Sequence, residues 1–552
     1  MVLLCILEIS IFRRMKLKDN YFLLLLFVCF AIFFVNLDAI FVNIMEARNF
    51  ATAREMINLD HWIFTTLNNE PRYEKPPLPT WLTAVSMMLF GMKNLIAARL
   101  PAAVMGSIVS IFLYRLGLKF TNNSKYAFIS GLIGATSFYI LFSGRDGQWD
   151  IHTHGWMIMA IYFLFQIFQD TGNSMKNAVL SGIFIGCSFL SKGPVSMYAL
   201  LLPFLISFGF VYRYKSFKHY WKPVLLTVSI ALIISASWAI YVYLLDTNAV
   251  SKITDKETGR WLDYNVRPFY YYWSFVVQSG IWTIPSFVAL LYPYLKNKVF
   301  DKKAYNFTLI WTLCAVVLLS IIPEKKSRYL LPVMLPMALN TAFYIEYLFR
   351  RFDMIPKKES WIVYFNFGLI ALIGISFPLA GYLYFGDRVQ NFLGWYITIS
   401  ILLFTIGLMI LWYLKNRKIK PVFYLTVWFI ISVIFFGLPI ASKIEKNPSY
   451  QSISIVDVYR ERMDVKVYEF RGFTPEMIWE YGQPIEILYD GENYKRPEES
   501  HFLLLATEEE KEEVIETFEG YTIEKIEEID MNPVGNKHKE RLYRDLYKID
   551  KF

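Results

Sequence analysis

Apolar stretches long enough to cross a bilayer as a helix, roughly 17–25 residues each, recur from residue 21 to residue 441. They fall at 21–43, 95–117, 125–144, 151–169, 177–191, 193–212, 222–245, 270–294, 304–322, 329–349, 361–385, 391–414 and 420–441, which predicts about thirteen transmembrane helices. Inside hydrocarbon the backbone must satisfy its own N–H and C=O groups, so runs of this kind are helical. A shorter apolar segment, 78–90, is led by Pro76 and Pro77 and reads as an interfacial helix. Composition agrees. Of 552 residues, 55% are hydrophobic, 18% aromatic and 19% charged, against about 25% charged in soluble chains. Disordered, collagen-like and disulfide-framework chains are excluded together. Cys5, Cys29, Cys187 and Cys314 lie in apolar stretches without metal-ligand spacing and read as buried thiols.

The net charge of +9 sits in short clusters between the apolar runs. These are Arg13/Arg14/Lys16/Lys18, Lys119/Lys125, Arg213/Lys215/Lys218/Lys222, Lys296/Lys298/Lys302/Lys303, Arg350/Arg351/Lys357/Lys358 and Lys415/Arg417/Lys418/Lys420. They occupy alternate loops, the positive-inside arrangement, which places the amino terminus in the cytoplasm and the carboxyl end outside. Such a distribution fits membrane topology and not a nucleic-acid partner. No small-residue cleavage site follows the first apolar run, so no removable signal peptide is expected, and Met15 is as good a start as Met1.

Beyond residue 444 the pattern changes. Strand-like runs at 465–470, 485–489, 502–505, 521–529 and 541–549 surround a helix opened by Thr507 and the acidic turn Glu508, Glu509, Glu510. The expected fold class is therefore an α-helical polytopic membrane protein, residues 1–444, followed by a small soluble α/β domain at 445–552 on the outer side.

Outer loops should be poor in cations, yet several are dense with charge. The loop at about 44–94 carries Glu46, Arg48, Arg54, Glu55, Arg72, Glu74 and Lys75; another holds Arg145, Asp146 and Asp150. Lys192 follows Ser191, a further loop runs from Lys252 to Arg267, and the last contains Glu324, Lys325, Lys326 and Arg328. Ionisable groups near hydrocarbon are costly and usually functional. Carboxylates beside Lys and Arg suit a reaction at a phosphate-bearing lipid, with the carboxylate as base or metal ligand and the cations on phosphate. The plainer alternative is solvated loop charge.

The segment 46–56, Glu-Ala-Arg-Asn-Phe-Ala-Thr-Ala-Arg-Glu-Met, and 73–78, Tyr-Glu-Lys-Pro-Pro-Leu, resemble bacterial members of the protein-mannosyltransferase and aminoarabinose-transferase superfamily. Asp150, the Ser191-Lys192-Gly193 turn, the run 267–271 (Arg-Pro-Phe-Tyr-Tyr), Lys325 and Tyr329 extend the resemblance. It implies a GT-C integral-membrane glycosyltransferase of the bacterial inner membrane, acting at its periplasmic face. Such an enzyme moves a sugar from a polyprenyl-phosphate donor to an envelope lipid, glycan or protein. The resemblance makes Asp150 and Glu46 the candidate catalytic carboxylates. It places Lys75, Lys325, Tyr329, Arg267 and Lys192 at the donor phosphate and lipid, and Lys326 and Arg328, at the outer mouth of the same span as Lys325, are candidates for the same phosphate, with Glu74 and Arg48 as positioning groups. Two departures argue against aminoarabinose transfer specifically: Met45 stands where the family has the Asp of an Asp-Glu pair, and Asn265 where some members have His.

Each residue also has an ordinary reading. Asp150 opens a span, where an acid is favoured as a cap; Glu46 can pair with Arg48; Tyr329 fits an interfacial aromatic belt. The only cofactor suggested is a divalent ion, with Asp150, His154 and Glu74 as candidate ligands, although Asp150 and His154 alone, four apart on a helix, make no site. Rival functions are a flippase for the polyprenyl-linked sugar, a ligase using a pyrophosphate-linked donor, and a receptor using the tail as its binding module.

Overall fold

The computed structural model describes residues 20–254, 265–444, 447–489, 491, 493–534 and 539–551. The Arg13/Arg14/Lys16/Lys18 cluster, Cys5, the choice between Met1 and Met15, and most of the 252–267 loop lie outside the described residues.

The principal helices, in chain order, are α1 (Tyr21–Phe33), α2 (Ile44–Asn58), α3 (Leu78–Phe90), α4 (Leu95–Thr121), α5 (Ser124–Thr136), α6 (Asp150–Phe168), α7 (Ser174–Lys192), α8 (Phe217–Leu245), α9 (Lys302–Ile321), α10 (Leu331–Arg351), α11 (Lys357–Phe385), α12 (Leu393–Lys415) and α13 (Ile419–Ser432). α6 packs along α7, α7 along α8, and α10 along α5 and α9. Apolar side chains also cover the outside of the bundle: Phe210, Leu244 and Leu383 are 75%, 70% and 74% exposed. Large apolar residues left bare to that extent belong against lipid. Among the described residues, seven segments are long and apolar enough to cross a membrane, and one of them, Lys357–Lys415, contains both α11 and α12. The chain is a multi-pass membrane protein.

The basic clusters share one end of the bundle. Arg350 donates to the Lys298 carbonyl at 2.9 Å, Arg417 to Phe352 at 2.9 Å, and Lys125 lies over the Phe349 ring. The acidic and mixed loops gather at the opposite end.

Several expected spans are not continuous helices, and each break has a cause. In the stretch 21–43, α1 stops at Phe33. Arg145 there donates to the carbonyls of Ile32, Val35 and Asn36 at 2.6–2.7 Å, satisfying the end that a longer helix would have used. The stretch 125–144 bends at Ser137, whose ψ of 128° is extended. The stretch 270–294 is a chain of short helical turns broken at Gly280, whose φ of 66° suits glycine and whose Cβ, if present, would overlap the Phe138 ring.

The C-terminal region forms a five-stranded sheet from β3 (Lys466–Glu469), β4 (Glu486–Ile487), β5 (His501–Ala506), β6 (Tyr521–Asp530) and β7 (Tyr543–Lys551), in the order β4-β3-β5-β7-β6. β3 pairs in parallel with β4 and β5, and β7 antiparallel with β5 and β6. A two-stranded hairpin, β1 (Thr66–Leu67) and β2 (Glu70–Pro71), lies between α2 and α3.

Candidate active site

Two loops at the charged end are built around Glu46. Asn43 opens α2: its side-chain oxygen accepts from the amides of Met45 and Glu46, and its own amide donates to Glu46 Oε2 at 3.2 Å. This reciprocal cap fixes the helix start. Glu46 then receives Arg99 from α4 at 2.6 and 2.8 Å, and the Gly147 amide at 3.0 Å. Arg99 also donates to the carbonyls of Leu37 and Ile40 at 2.6 and 2.8 Å. The pairing of Glu46 with Arg48 therefore gives way to a buried two-point pair with Arg99, and Arg48 lies against the Met45 sulfur. With its oxygens so engaged, Glu46 is a fastener of the two loops.

The second loop, 144–149, presents one acid, Asp146, and leads into Asp150. Gly147 donates to Glu46 and accepts from Asn49 at 2.8 Å, and a side chain at this position would overlap the Phe50 ring. Asp146 hangs beside Glu46: one oxygen accepts from Asn43 at 3.3 Å and from Gln148, and the other is buried with no partner among the described residues. Burial and the neighbouring Glu46 charge push its carboxyl well above the usual range, against the pull of Arg99 and of the Gln148 and Asn43 amides. Asp146 was visible as a loop charge but not as a site residue; its signal was its place four residues before Asp150.

Asp150 follows as the first residue of α6, is 7% exposed, and forms an ion pair with Lys192, the last residue of α7. Lys192 also lies over the Tyr329 ring at 5.4 Å, as do Lys326 at 5.7 Å and Arg328 at 6.0 Å. Glu324 joins Lys326 at 2.6 Å and accepts from the Tyr329 hydroxyl at 3.1 Å. The fold thus brings together Asp150, Lys192, Lys326, Arg328 and Tyr329, and adds Glu324. Arg328 Nε is buried with no partner among the described residues.

Lys325 points elsewhere. Its ammonium donates to the carbonyls of Arg267 and Ile322 at 3.0 and 2.5 Å, lacing the 265–267 segment to the 322–325 loop. That arrangement gives it the job of a clamp, where a phosphate contact was expected. Arg267 itself is exposed on that laced segment.

The hairpin delivers Glu74 and Lys75. Glu55 accepts from Thr66 at 2.6 Å and from the Asn68 amide at 2.7 Å, fixing its turn. Arg72 lies over the Trp149 ring at 5.0 Å, joining the hairpin to the residue before Asp150. Tyr73 donates to Asp246 at 2.7 Å. Glu74 Oε2 is buried with no partner among the described residues, and Lys75 is half-buried. Buried polar atoms without partners cost about 1–3 kcal/mol each. Asp146, Glu74 and Arg328 each carry one, all at the end of the bundle where a polar ligand would satisfy them.

The candidate metal ligands are not gathered. Asp150 faces an ammonium, His154 Nδ1 lies 3.0 Å from Ser196 Oγ, and no group of three or more His, Cys, Asp or Glu that could hold an ion occurs among the described residues.

The comparison with known proteins follows this geometry. In fold the chain matches ArnT from Cupriavidus metallidurans bound to undecaprenyl phosphate, with a TM-score of 0.69, covering 96% of this chain and 98% of that one at 14% identity. The chain has the fold of ArnT. The apo structure of the same ArnT gives a TM-score of 0.66. Residues 74–241 match a family described as dolichyl-phosphate-mannose-protein mannosyltransferase. A relative from Proteus mirabilis, an undecaprenyl phosphate-alpha-4-amino-4-deoxy-L-arabinose arabinosyl transferase, is 24% identical over 60% of this chain. An uncharacterized protein from Aquifex aeolicus is 24% identical over 59% of it. The match spans 61% of the Proteus protein's length. Within this fold, the matched family segment runs from Glu74 into α8 and so contains Lys75, Asp150 and Lys192.

Proposed function

We propose that the protein is a membrane glycosyltransferase that moves a sugar from a polyprenyl-phosphate donor to an acceptor hydroxyl of an envelope lipid, glycan or protein. The observation that carries this reading is the Asp150–Lys192 pair set under the Tyr329 ring, with Lys326 and Arg328 against the same ring. The chemistry asks for two things: a base near the acceptor oxygen and cations on the departing phosphate. Asp150 is the acid placed to take the acceptor proton as the new C–O bond forms at the anomeric carbon. Lys192, Arg328 and Lys326 are placed to neutralise the phosphate as its C–O bond breaks, and polyprenyl phosphate leaves with the electron pair. Glu74 and Lys75, brought in by the hairpin, complete the donor side. Names of the relatives support an undecaprenyl-type donor, and Met45 and Asn265 leave the sugar open.

The inferred setting is a bacterial inner membrane with the amino terminus in the cytoplasm and the C-terminal domain in the periplasm, which puts the basic end of the bundle inside. The test is release of labelled sugar from polyprenyl-phosphate donors by purified protein supplied with extracted envelope lipids. The same assay with and without a chelator decides whether a divalent ion takes part. Donor lipid crossing a liposome bilayer with no sugar release would overturn the reading in favour of a flippase.

A further inference from the structure

The motif residues Arg54 and Glu55 are left without a role by the reaction, and both are buried, at 4% and 2% exposed. Arg54 projects from α2 into the C-terminal domain. Its guanidinium donates to the carbonyls of Ile478 and Trp479 at 2.5 and 2.8 Å and lies over the Trp479 ring at 5.2 Å. Those carbonyls lie in the last turn of the helix Pro475–Tyr481, where a cation meets the negative end of the dipole and adds to the Gly482 N–H that the Ile478 carbonyl already accepts. Phe50, one turn earlier on α2, packs its ring 5.2 Å from Trp479. A second tie lies 14 residues on. Asn68, in the turn of the β1–β2 hairpin, donates to the Ile485 carbonyl and accepts from the Ile485 amide, both at 2.8 Å. Ile485 leads directly into β4 of the sheet. Between the two ties, Glu55 binds the hairpin turn to α2.

We propose that Arg54 and Asn68 are positioning residues through which the C-terminal sheet domain holds the hairpin that delivers Glu74 and Lys75, and so sets the affinity for donor phosphate. The proposal rests on the transferase reading for its functional half. The hairpin has two strands of two residues each, and an isolated hairpin of that size has no independent stability. Its geometry has to be imposed from outside, by Glu55 below and by Ile485 above. Because the tie acts before chemistry, on where the phosphate ligands stand, its loss raises KM and leaves kcat close to its starting value.

The test uses the full-length protein with Arg54→Met, which keeps the buried stem and removes the donors, and Asn68→Gly, which suits the φ of 57° at that residue. Both are expected to speed amide exchange across residues 59–77 and to raise donor KM about tenfold, with kcat changed by less than about twofold. Arg54→Lys, which keeps a cation on the helix-end carbonyls, is expected to recover most of the affinity. Asn68→Gly touches a turn and not the core, so it reads out even where Arg54→Met fails to fold. Unchanged exchange at 59–77 in both variants overturns the tie. Faster exchange with an unchanged donor KM overturns its link to the donor. An unaltered protein that turns over no donor counts against the transferase reading alone, since exchange still decides whether the domain holds the hairpin.

Discussion

Arg99 closes on Glu46 with two nitrogens, while Asp146 beside it receives side-chain amides from Asn43 and Gln148. Two neighbouring carboxylates therefore respond to losing their charge by very different amounts. Glu46→Gln leaves a buried guanidinium without its counter-charge, a loss of about 3–5 kcal/mol, and is expected to lower the unfolding temperature in detergent sharply. Asp146→Asn replaces a carboxyl already pushed toward its neutral form, and is expected to cost less than about 1 kcal/mol in the same melt. The sign follows from the raised proton affinity of Asp146. Its contribution to stability is whole below the ordinary carboxyl value and is lost as pH rises through the folded value, so the Asn variant gains on the wild type as pH increases. These roles were only half readable in the sequence. Glu46 stood out as a motif acid, but its partner Arg99 is 53 residues away on another helix, and the apparent partner Arg48 is nearer only along the chain. Lys325 likewise was placed at the phosphate by the resemblance, whereas backbone carbonyls accept from its ammonium.

At the scale of elements, runs and alternation were enough to find α4, α6 and α8 and the five strands of the C-terminal sheet, because each depends on its own side-chain period. The breaks were not readable, since their causes are distant: α1 ends where Arg145 takes its carbonyls, from 113 residues on. The sheet has a pH dependence of its own. Glu469 on β3 is fully buried with Arg544 Nε at 2.8 Å, and its second oxygen has no partner among the described residues. Burial raises its carboxyl to about 8 against the pull of Arg544. A raised carboxyl contributes stability that is complete below its unfolded value of about 4.3 and lost as pH rises through about 8. The sheet is therefore expected to protect its amides less at pH 9 than at pH 6, beyond the intrinsic rate change. Glu469→Gln, which still accepts from Arg544, should remove that difference; an unchanged pH response in the variant would assign it to another group.

Taken whole, the molecule sorts its charges to two ends of one bundle. The basic loops meet at one end through Arg350, Arg417 and Lys125, with Glu346 and Glu359 paired among them, and the Glu46 and Asp150 groups, the hairpin and the sheet domain meet at the other. The central claim is that the second end transfers sugar from a polyprenyl phosphate and that Asp150 and Lys192 are at the reacting centre. The most direct measurement is sugar transfer from a labelled polyprenyl-phosphate donor by wild type, Asp150→Asn and Lys192→Met, with undecaprenyl phosphate binding measured on the same preparations. The account predicts transfer by the wild type, loss of at least about a hundredfold in Asp150→Asn with lipid binding retained, and weakened lipid binding in Lys192→Met. Transfer at wild-type rate in Asp150→Asn, with Lys192→Met binding the lipid unchanged, would contradict it.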